Sequence, residues 1–158
     1  MNTESEIKKN VYSLFSNVAN AIGYSPLHGE IIGMLLINDD IVSLQEIADE
    51  LGYSISMISL SLDLLEVLGV IKKVKKPGDR KLYVSLHGDL LDILKTAIIF
   101  KVQSNIKDSL LGFEESKKHV NKLKLTERKK LEKSIDILEK NIKRLDKYVK
   151  LLSEIRLP

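Results

Sequence analysis

The sequence has 158 residues, of which 44% are hydrophobic and 30% charged, with a formal net charge of +3 and no cysteine. This length allows one domain, or a small domain with an extension, and the absence of cysteine excludes disulfides and thiolate metal sites. No apolar run approaches the roughly 18 residues of a membrane span, and the polar start MNTESEIKKN is unlike a signal peptide, so we expect a cytoplasmic protein without a membrane partner.

The charge is distributed unevenly along the chain. Residues 1–50 carry 2 basic and 8 acidic side chains, residues 51–100 carry 7 and 5, and residues 101–158 carry 16 and 9. The net charges are therefore −6, +2 and +7, which sum to +3. This polarity favours a nucleic-acid partner more than the small total does. A solvated lysine-rich helix is the simpler explanation for the last segment alone.

Two helices are predicted before the central region. The first covers residues 4–22 and has an apolar stripe that must pack on the fold or on a second subunit: Ile7, Val11, Leu14, Val18 and Ile22, with Phe15 beside it. The second opens at Ser25-Pro26, where a capping residue precedes a favoured first helical residue. It ends at Asn38-Asp39-Asp40. Gly29 and Gly33 share one face of it, which indicates tight helix packing, with a ligand groove as the alternative.

A helix-turn-helix is predicted from Ser43 to Gly69. Ser43 and Glu46 suit a capping box, and Gly52 ends a helix of about two turns. Ser54 caps a second helix with a buried stripe consisting of Ile58, Leu62, Leu65 and Leu68. Two short helices joined by a tight turn can place the second in the major groove of DNA.

The second helix has an unusual composition for base recognition. Residues 54–68 contain no Lys or Arg, so bidentate contact with guanine is excluded there. Ser56, Ser59 and Ser61 can form short hydrogen bonds with bases or phosphates, and Met57 and Leu60 can touch thymine methyl groups. Much of the specificity would then come from groove shape.

A two-stranded wing follows. Residues 70–74 and 82–86 alternate with period two, and Ile41-Val42 can add a short strand to them. Pro77-Gly78 suits the centre of a type II turn. Six cations surround this turn against one anion, Asp79: Lys72, Lys73, Lys75, Lys76, Arg80 and Lys81. Such a hairpin can follow a phosphate backbone or enter the minor groove.

The region from Pro26 to Leu86 resembles the MarR family of winged-helix regulators, and within it the GbsR-like branch. The resemblance rests on PLHGEIIGMLLI, SLQEIADELGYS, the serine-rich helix ending LLEVLGVI, and GDRKLY. It implies that Arg80 enters the minor groove while Asp79 holds it, and that the first helix joins a dimer interface. It also implies frequent control by small molecules. The branch is associated with choline and betaine, but with 5% aromatics and no Trp an aromatic cage is not assigned.

Two long helices are predicted after the wing. The first covers residues 89–117 and is apolar on two faces, with a loop near Lys118–Leu125. Thr126 caps the second, which extends to about Ser153 and carries a heptad pattern with β-branched residues at a and Leu at d: Leu131, Ile135, Leu138, Ile142, Leu145, Val149 and Leu152. This choice favours two-chain pairing. The alternative is a hairpin with the preceding helix of the same chain.

Catalytic and metal-binding patterns are not apparent in the sequence. His28, His87 and His119 are scattered, and there is no P-loop, GxGxxG or GxSxG motif. We therefore expect no enzyme, no metal and no cofactor. Tyr12, Phe15, Tyr24 and His28 can line an effector pocket, although a role in the core explains them more simply and is preferred.

The sequence thus predicts a mainly α fold with a small β wing, in which a winged helix-turn-helix is joined to long C-terminal helices that form a dimerisation bundle or coiled coil. Residues 1–24 form an N-terminal helix, residues 25–87 the DNA-binding domain and residues 88–158 the dimerisation region. The predicted function is sequence-specific binding of double-stranded DNA by a homodimeric transcriptional regulator, with a small-molecule effector left open. Its predicted DNA contacts are Ser54, Ser56, Met57, Ser59, Leu60, Lys75, Lys76, Arg80 and Lys81. The alternative is a winged helix that binds a protein in a transcription or chromosome-organising complex.

Overall fold

The computed structural model describes residues 3–38 and 41–158. Within these residues the chain forms helices and short strands in the following order: α1 (Glu4–Ala21), α2 (Pro26–Asn38), β1 (Val42–Ser43), α3 (Leu44–Leu51), α4 (Ile55–Val67), β2 (Ile71–Lys75), β3 (Leu82–Leu86), α5 (Leu90–Val120) and α6 (Leu125–Glu154). The mainly α fold with a small β wing is therefore confirmed. The predicted helix stop at Asp39-Asp40 lies outside the described residues.

The chain divides into two compact units. The first ends at Leu94 and contains the helix-turn-helix and the wing, and the second spans Lys95–Pro158. The three-segment division predicted from the sequence, with residues 1–24 set apart, stays a prediction. In the structure α1 packs on α2 within the first unit.

The contact between α1 and α2 depends on two glycines. A Cβ atom at Gly29 would lie 2.1 Å from the carbonyl oxygen of Phe15, and one at Gly33 would lie 3.3 Å from the Phe15 ring. The prediction of tight helix packing is thus confirmed. This close approach decides which side of α1 is covered: Tyr12 and Ala19 are buried, whereas Ile7, Leu14 and Val18 of the predicted stripe stay exposed.

The core of the first unit lies where α2, α3, α4 and the sheet meet. Its fully buried side chains include Ile31, Ile47, Ile58, Leu62 and Val84. The predicted capping box is present, because Ser43 accepts from the Glu46 N–H while Glu46 accepts from the Ser43 N–H. Gly52 ends α3 in the left-handed backbone conformation, with φ 74°, which glycine adopts without steric strain. The predicted stripe of α4 is buried throughout.

The sheet has the strand order β1-β3-β2 and is antiparallel throughout. Val42 pairs with Val84, and Lys75 pairs with Leu82 at the outer end of the wing. The short strand predicted at Ile41-Val42 is therefore present, one residue later. β3 lies in the centre, so its Val84 side chain is covered and becomes a core residue.

The second unit is a helical hairpin of α5, from Lys95 onward, and α6. Lys117 on α5 forms ion pairs with Asp136, at 2.9 Å, and with Glu139 on α6. At the other end, Lys95 Nζ donates to the carbonyl oxygen of Ile155. Antiparallel pairing within one chain, the alternative left open by the sequence, is therefore present.

The ends of these two helices differ from the prediction. α5 continues to Val120. The basic side chains in its last turn stabilise this end, because they interact favourably with the negative end of the helix dipole: Lys117, Lys118 and His119. The cap predicted at Thr126 is wrong. Lys124 occupies the N-cap position without a side-chain hydrogen bond, and Leu125 is already helical.

The heptad side chains of α6 separate into two groups in the single chain. Ile135 and Ile142 are half-buried and Val149 is buried. Leu131, Leu138 and Leu145 remain 44%, 51% and 40% exposed. The hairpin therefore covers mainly the a positions and leaves these leucines at d free to meet another surface.

Candidate nucleic-acid interface

The outer face of α4 is uncharged along its first half. Met57 is 49% exposed and Leu60 is 71% exposed, and Ser56 lies beside them on the surface. Ser54 caps the helix, and its hydroxyl oxygen accepts from the Met57 N–H at 3.3 Å. Ser59 is half-buried. Four of the five predicted α4 contacts are thus well exposed.

Ser61 is an exception to the sequence interpretation. Its side chain is only 7% exposed, because it falls on the flank of α4 that turns toward the core. It therefore cannot reach a base edge while α4 keeps its packing. Spacing alone did not exclude it, since serine is compatible with either environment.

Asp79 organises the tip of the wing. The Asp79 N–H donates to the Lys76 carbonyl at 3.1 Å across the predicted Pro77-Gly78 turn, and Gly78 has φ 78°. One carboxylate oxygen accepts from the Lys81 N–H at 2.9 Å, and the other accepts from the Tyr83 hydroxyl at 2.7 Å. These hydrogen bonds hold the pKa of Asp79 below its ordinary value, and the bond from the Lys81 N–H has the larger effect.

Tyr83 completes this arrangement. Lys76 Nζ lies 4.2 Å from the centre of the Tyr83 ring, a cation–π contact. The tyrosine thus joins Asp79 on one side of the turn to Lys76 on the other. Tyr83 was not among the residues predicted for the site. Its position in β3, four residues after Asp79, was the available signal.

The remaining cations of the tip are exposed. In the described ranges no ion pair joins Lys75, Lys76, Arg80 or Lys81 to an acidic side chain. The resemblance to the regulator family implied that Asp79 holds Arg80. In the structure the Asp79 carboxylate instead accepts from the Lys81 N–H and the Tyr83 hydroxyl. Arg80 is left with its guanidinium available to an external anion.

Lys73 differs from the other wing cations. Its Nζ lies 2.6 Å from Asp63 and 2.7 Å from Glu66, both on α4. These contacts raise the pKa of Lys73. They offset one of the two carboxylate charges near the end of α4 and attach β2 to that helix. The sequence count of six available wing cations therefore falls to five.

The four residues proposed for an effector pocket lie in the first unit. Tyr12 is buried and its hydroxyl donates to Glu50 at 3.3 Å. Phe15 packs at Gly29 and Gly33. Tyr24 packs on the core and meets His28 edge to face, with ring centres 6.1 Å apart. The core interpretation of these residues is thus supported by their contacts.

His28 is the buried polar group of this region. Its Nδ1 is shielded from solvent and has no hydrogen-bond partner among the described residues. Burial lowers the pKa of His28 below its ordinary value. A neutral imidazole packed against Tyr24 is consistent with a structural role.

Residues 3–38 and 41–158 contain neither a metal-binding cluster nor a membrane-spanning helix. No group of three or more His, Asp or Glu side chains in them is arranged to hold a metal ion. No helix in the same residues is both long and apolar enough to cross a membrane.

Comparison with known proteins establishes the fold. The chain is similar to a solved structure described as a transcriptional regulator, with a TM-score of 0.63, 16% identity, and coverage of 94% of this chain and 99% of the other. A mutant E. coli MarR matches with a lower TM-score of 0.45, at 14% identity, with coverage of 84% of this chain and 90% of the other. A mutant S. aureus MepR bound to an oligodeoxyribonucleotide matches with a TM-score of 0.44, at 16% identity, with coverage of 87% of this chain and 91% of the other. No protein-family model matches the sequence, and no curated protein matches it. The fold and the site together define a winged helix-turn-helix protein.

Proposed function

We propose that this protein is a transcriptional regulator that binds double-stranded DNA sequence-specifically as a homodimer. One observation supports this most directly: the ion pairs of Lys73 with Asp63 and Glu66 attach the cationic wing to α4, whose first half is uncharged. An elongated polyanion with readable base edges suits both parts of that surface. This function would place the protein in the compartment that holds the DNA.

The two parts of the surface would have different tasks. Ser54, Ser56, Met57, Ser59 and Leu60 would lie in the major groove. Lys75, Lys76, Arg80 and Lys81 would contact the backbone and, for Arg80, the minor groove. Because α4 has no cation, most of the affinity would depend on the wing and would fall steeply with salt.

Homodimer formation is supported by apolar surface that a single chain leaves uncovered. On α6 this surface includes Leu131, Leu138 and Leu145, and on α1 it includes Ile7, Leu14 and Val18. Exposed apolar residues at helical spacing are typical of helix–helix interfaces. A two-fold dimer would prefer an inverted repeat with half-sites about 10 bp apart.

We also propose that a small molecule controls DNA binding. The second unit contains an open apolar groove of about 260 Å³, lined by Lys95, Ile98, Ile99, Leu152, Ile155 and Leu157. A ligand there would regulate DNA binding only if it bound the DNA-competent state and another state with different affinities. The resemblance of the quoted motifs supports the further proposal that the protein is a MarR-like regulator of the GbsR-like branch.

Selection from a pool of random duplexes tests the proposal. We expect the full-length protein to enrich an inverted repeat, and we expect the complex to contain two chains by light scattering. Enrichment of no common sequence would contradict sequence-specific binding, and a single chain on an asymmetric site would contradict the homodimer.

A second candidate function is a protein-binding winged helix. The exposed apolar side chains of α4, which include Val67 at 75% exposure, favour it. It differs from the first in its salt dependence, because an apolar protein interface would persist at salt concentrations that abolish phosphate contacts.

A further inference from the structure

The base-reading surface of α4 has a chemistry that narrows its target. Met57 and Leu60 project from the first half of the helix, 49% and 71% exposed, one turn apart. The residues between the Ser54 cap and Leu60 bear no charge. Their hydrogen-bonding side chains are limited to short serine hydroxyls.

Each base presents a different edge in the major groove. Guanine is read mainly by Arg or Lys, adenine by Asn or Gln and cytosine by a carboxylate, and none of these side chains occurs between Ile55 and Leu60. The 5-methyl group of thymine is the one major-groove feature that an apolar side chain recognises. The available side chains therefore match thymine better than any other base.

The carboxylates of α4 lie farther along the helix. Asp63 and Glu66 could accept from the amino group of cytosine, but both are held by Lys73 at 2.6 Å and 2.7 Å. A base would therefore have to compete with Lys73 for these carboxylates as long as β2 stays attached. The uncharged half of α4 is left as the part that discriminates among bases.

We infer that α4 selects its site by van der Waals contact of Met57 and Leu60 with thymine methyl groups in the major groove. This inference rests on the proposed DNA-binding function and specifies its target. The DNA sites would carry thymines, on either strand, at the positions opposite these two side chains. Neighbouring Ser56 would contribute hydrogen bonding that accepts several bases.

The test replaces thymine by uracil, which differs only in the 5-methyl group. The highest-affinity duplex from random selection is synthesised with all its thymines, and again in a series in which deoxyuridine replaces one thymine of the half-site at a time, so that the position opposite residue 60 is measured separately from the position opposite residue 57. Binding of the full-length protein is measured by fluorescence anisotropy. We expect about fourfold weaker binding for each methyl group that is buried and removed.

Two variants attribute the effect to a side chain. Leu60→Ala should bind thymine and uracil duplexes with nearly equal affinity at its half-site position, because the contacting side chain is gone. Val67→Ala is the matched control: Val67 is as exposed as Leu60 but lies two turns later, so its thymine preference should equal that of the wild type. Each variant is compared with the wild type on both the thymine and the uracil duplex, so any effect of uracil on duplex shape cancels.

The possible outcomes separate the two claims. Thymine preference that Leu60→Ala abolishes supports the inference. Sequence-selective binding with equal affinity for thymine and uracil duplexes contradicts the inference and leaves the DNA-binding function standing. Failure to select any sequence contradicts the proposed function, and the inference with it.

Discussion

At the residue scale, the wing tip depends on a division of tasks among neighbouring side chains. Asp79 accepts hydrogen bonds from Lys81 and Tyr83, so its carboxylate shapes the turn. Arg80 has no such partner within the described residues and is free to bind an anion. This predicts weaker DNA binding when either charge is removed, through loss of an anion contact at Arg80 and through loss of turn structure at Asp79.

For Arg80→Ala we expect weaker DNA binding and a salt dependence that is smaller by about one ion per subunit, since one phosphate or minor-groove contact is lost. The measurement is fluorescence anisotropy on a selected duplex over a series of salt concentrations. Arg156→Ala removes the same charge from an exposed position near the C-terminus and serves as the control. Unchanged affinity and slope for Arg80→Ala would contradict the role of the wing.

The variant Asp79→Ala distinguishes the effect of turn structure on DNA affinity from the effect of net charge. Removing a carboxylate beside a polyanion should strengthen binding if charge alone mattered. We expect weaker binding instead, because the Lys81 N–H and the Tyr83 hydroxyl lose their acceptor and the turn loosens. Tyr83→Phe removes one of these two hydrogen bonds and should give a smaller loss in the same titration. Tighter binding by Asp79→Ala would show that the tip needs no internal order.

At the element scale, the helices and strands of the winged helix can be predicted from the sequence more completely than the contacts between them. Capping residues and glycines mark the ends of α3 and α4, and apolar spacing identifies their buried faces, because these signals are local. The pairing of Lys73 with Asp63 and Glu66 was not predictable, since it joins a strand to a helix through tertiary packing. For the same reason the stripe on α1 did not reveal that Tyr12 and Ala19 would be buried instead.

The α1–α2 contact provides a prediction about stability. Gly29→Ala would place a methyl group 2.1 Å from the Phe15 backbone, which cannot move away without separating the helices. We expect a loss of about 1–3 kcal/mol or more in the free energy of unfolding, as for overpacked cores. Urea denaturation followed by circular dichroism measures it.

Gly112→Ala is the matched control for that experiment. Gly112 lies within α5, and a Cβ atom there has open space within 4 Å. Its replacement should stabilise the helix by up to about 1 kcal/mol, because alanine has the higher helix propensity. If both variants had the same stability, the close approach of α1 to α2 would not be a significant constraint.

At the scale of the whole molecule, the heptad on α6 predicted an apolar seam but not its partner. A single helix with such a stripe can pair with its own chain or with another, and the sequence pattern is identical in both cases. The hairpin covers the side of Ile135, Ile142 and Val149, while Leu138 and Leu145 stay about half exposed. The seam is therefore wide enough for contacts both within the chain and with a second chain.

Replacing Leu138 and Leu145 together by Asp tests the proposed dimer. Both side chains lie outside the buried part of the hairpin, so the variant should keep its helical content and become a monomer that loses selective DNA binding. Light scattering gives the mass. Lys140→Asp with Lys147→Asp places the same two carboxylates seven residues apart on the polar side of α6 and should remain dimeric. If the Leu138/Leu145 variant stayed dimeric, the dimer interface would not include these two leucines.

The central claim is selective binding of double-stranded DNA. Its most direct measurement is fluorescence anisotropy of the purified protein on the duplex enriched by random selection, with a scrambled duplex as control, at two salt concentrations. The protein should prefer the selected duplex, and the preference should persist at the higher salt. Equal weak binding to both duplexes that vanishes with salt would contradict the claim, because charge attraction alone explains that result.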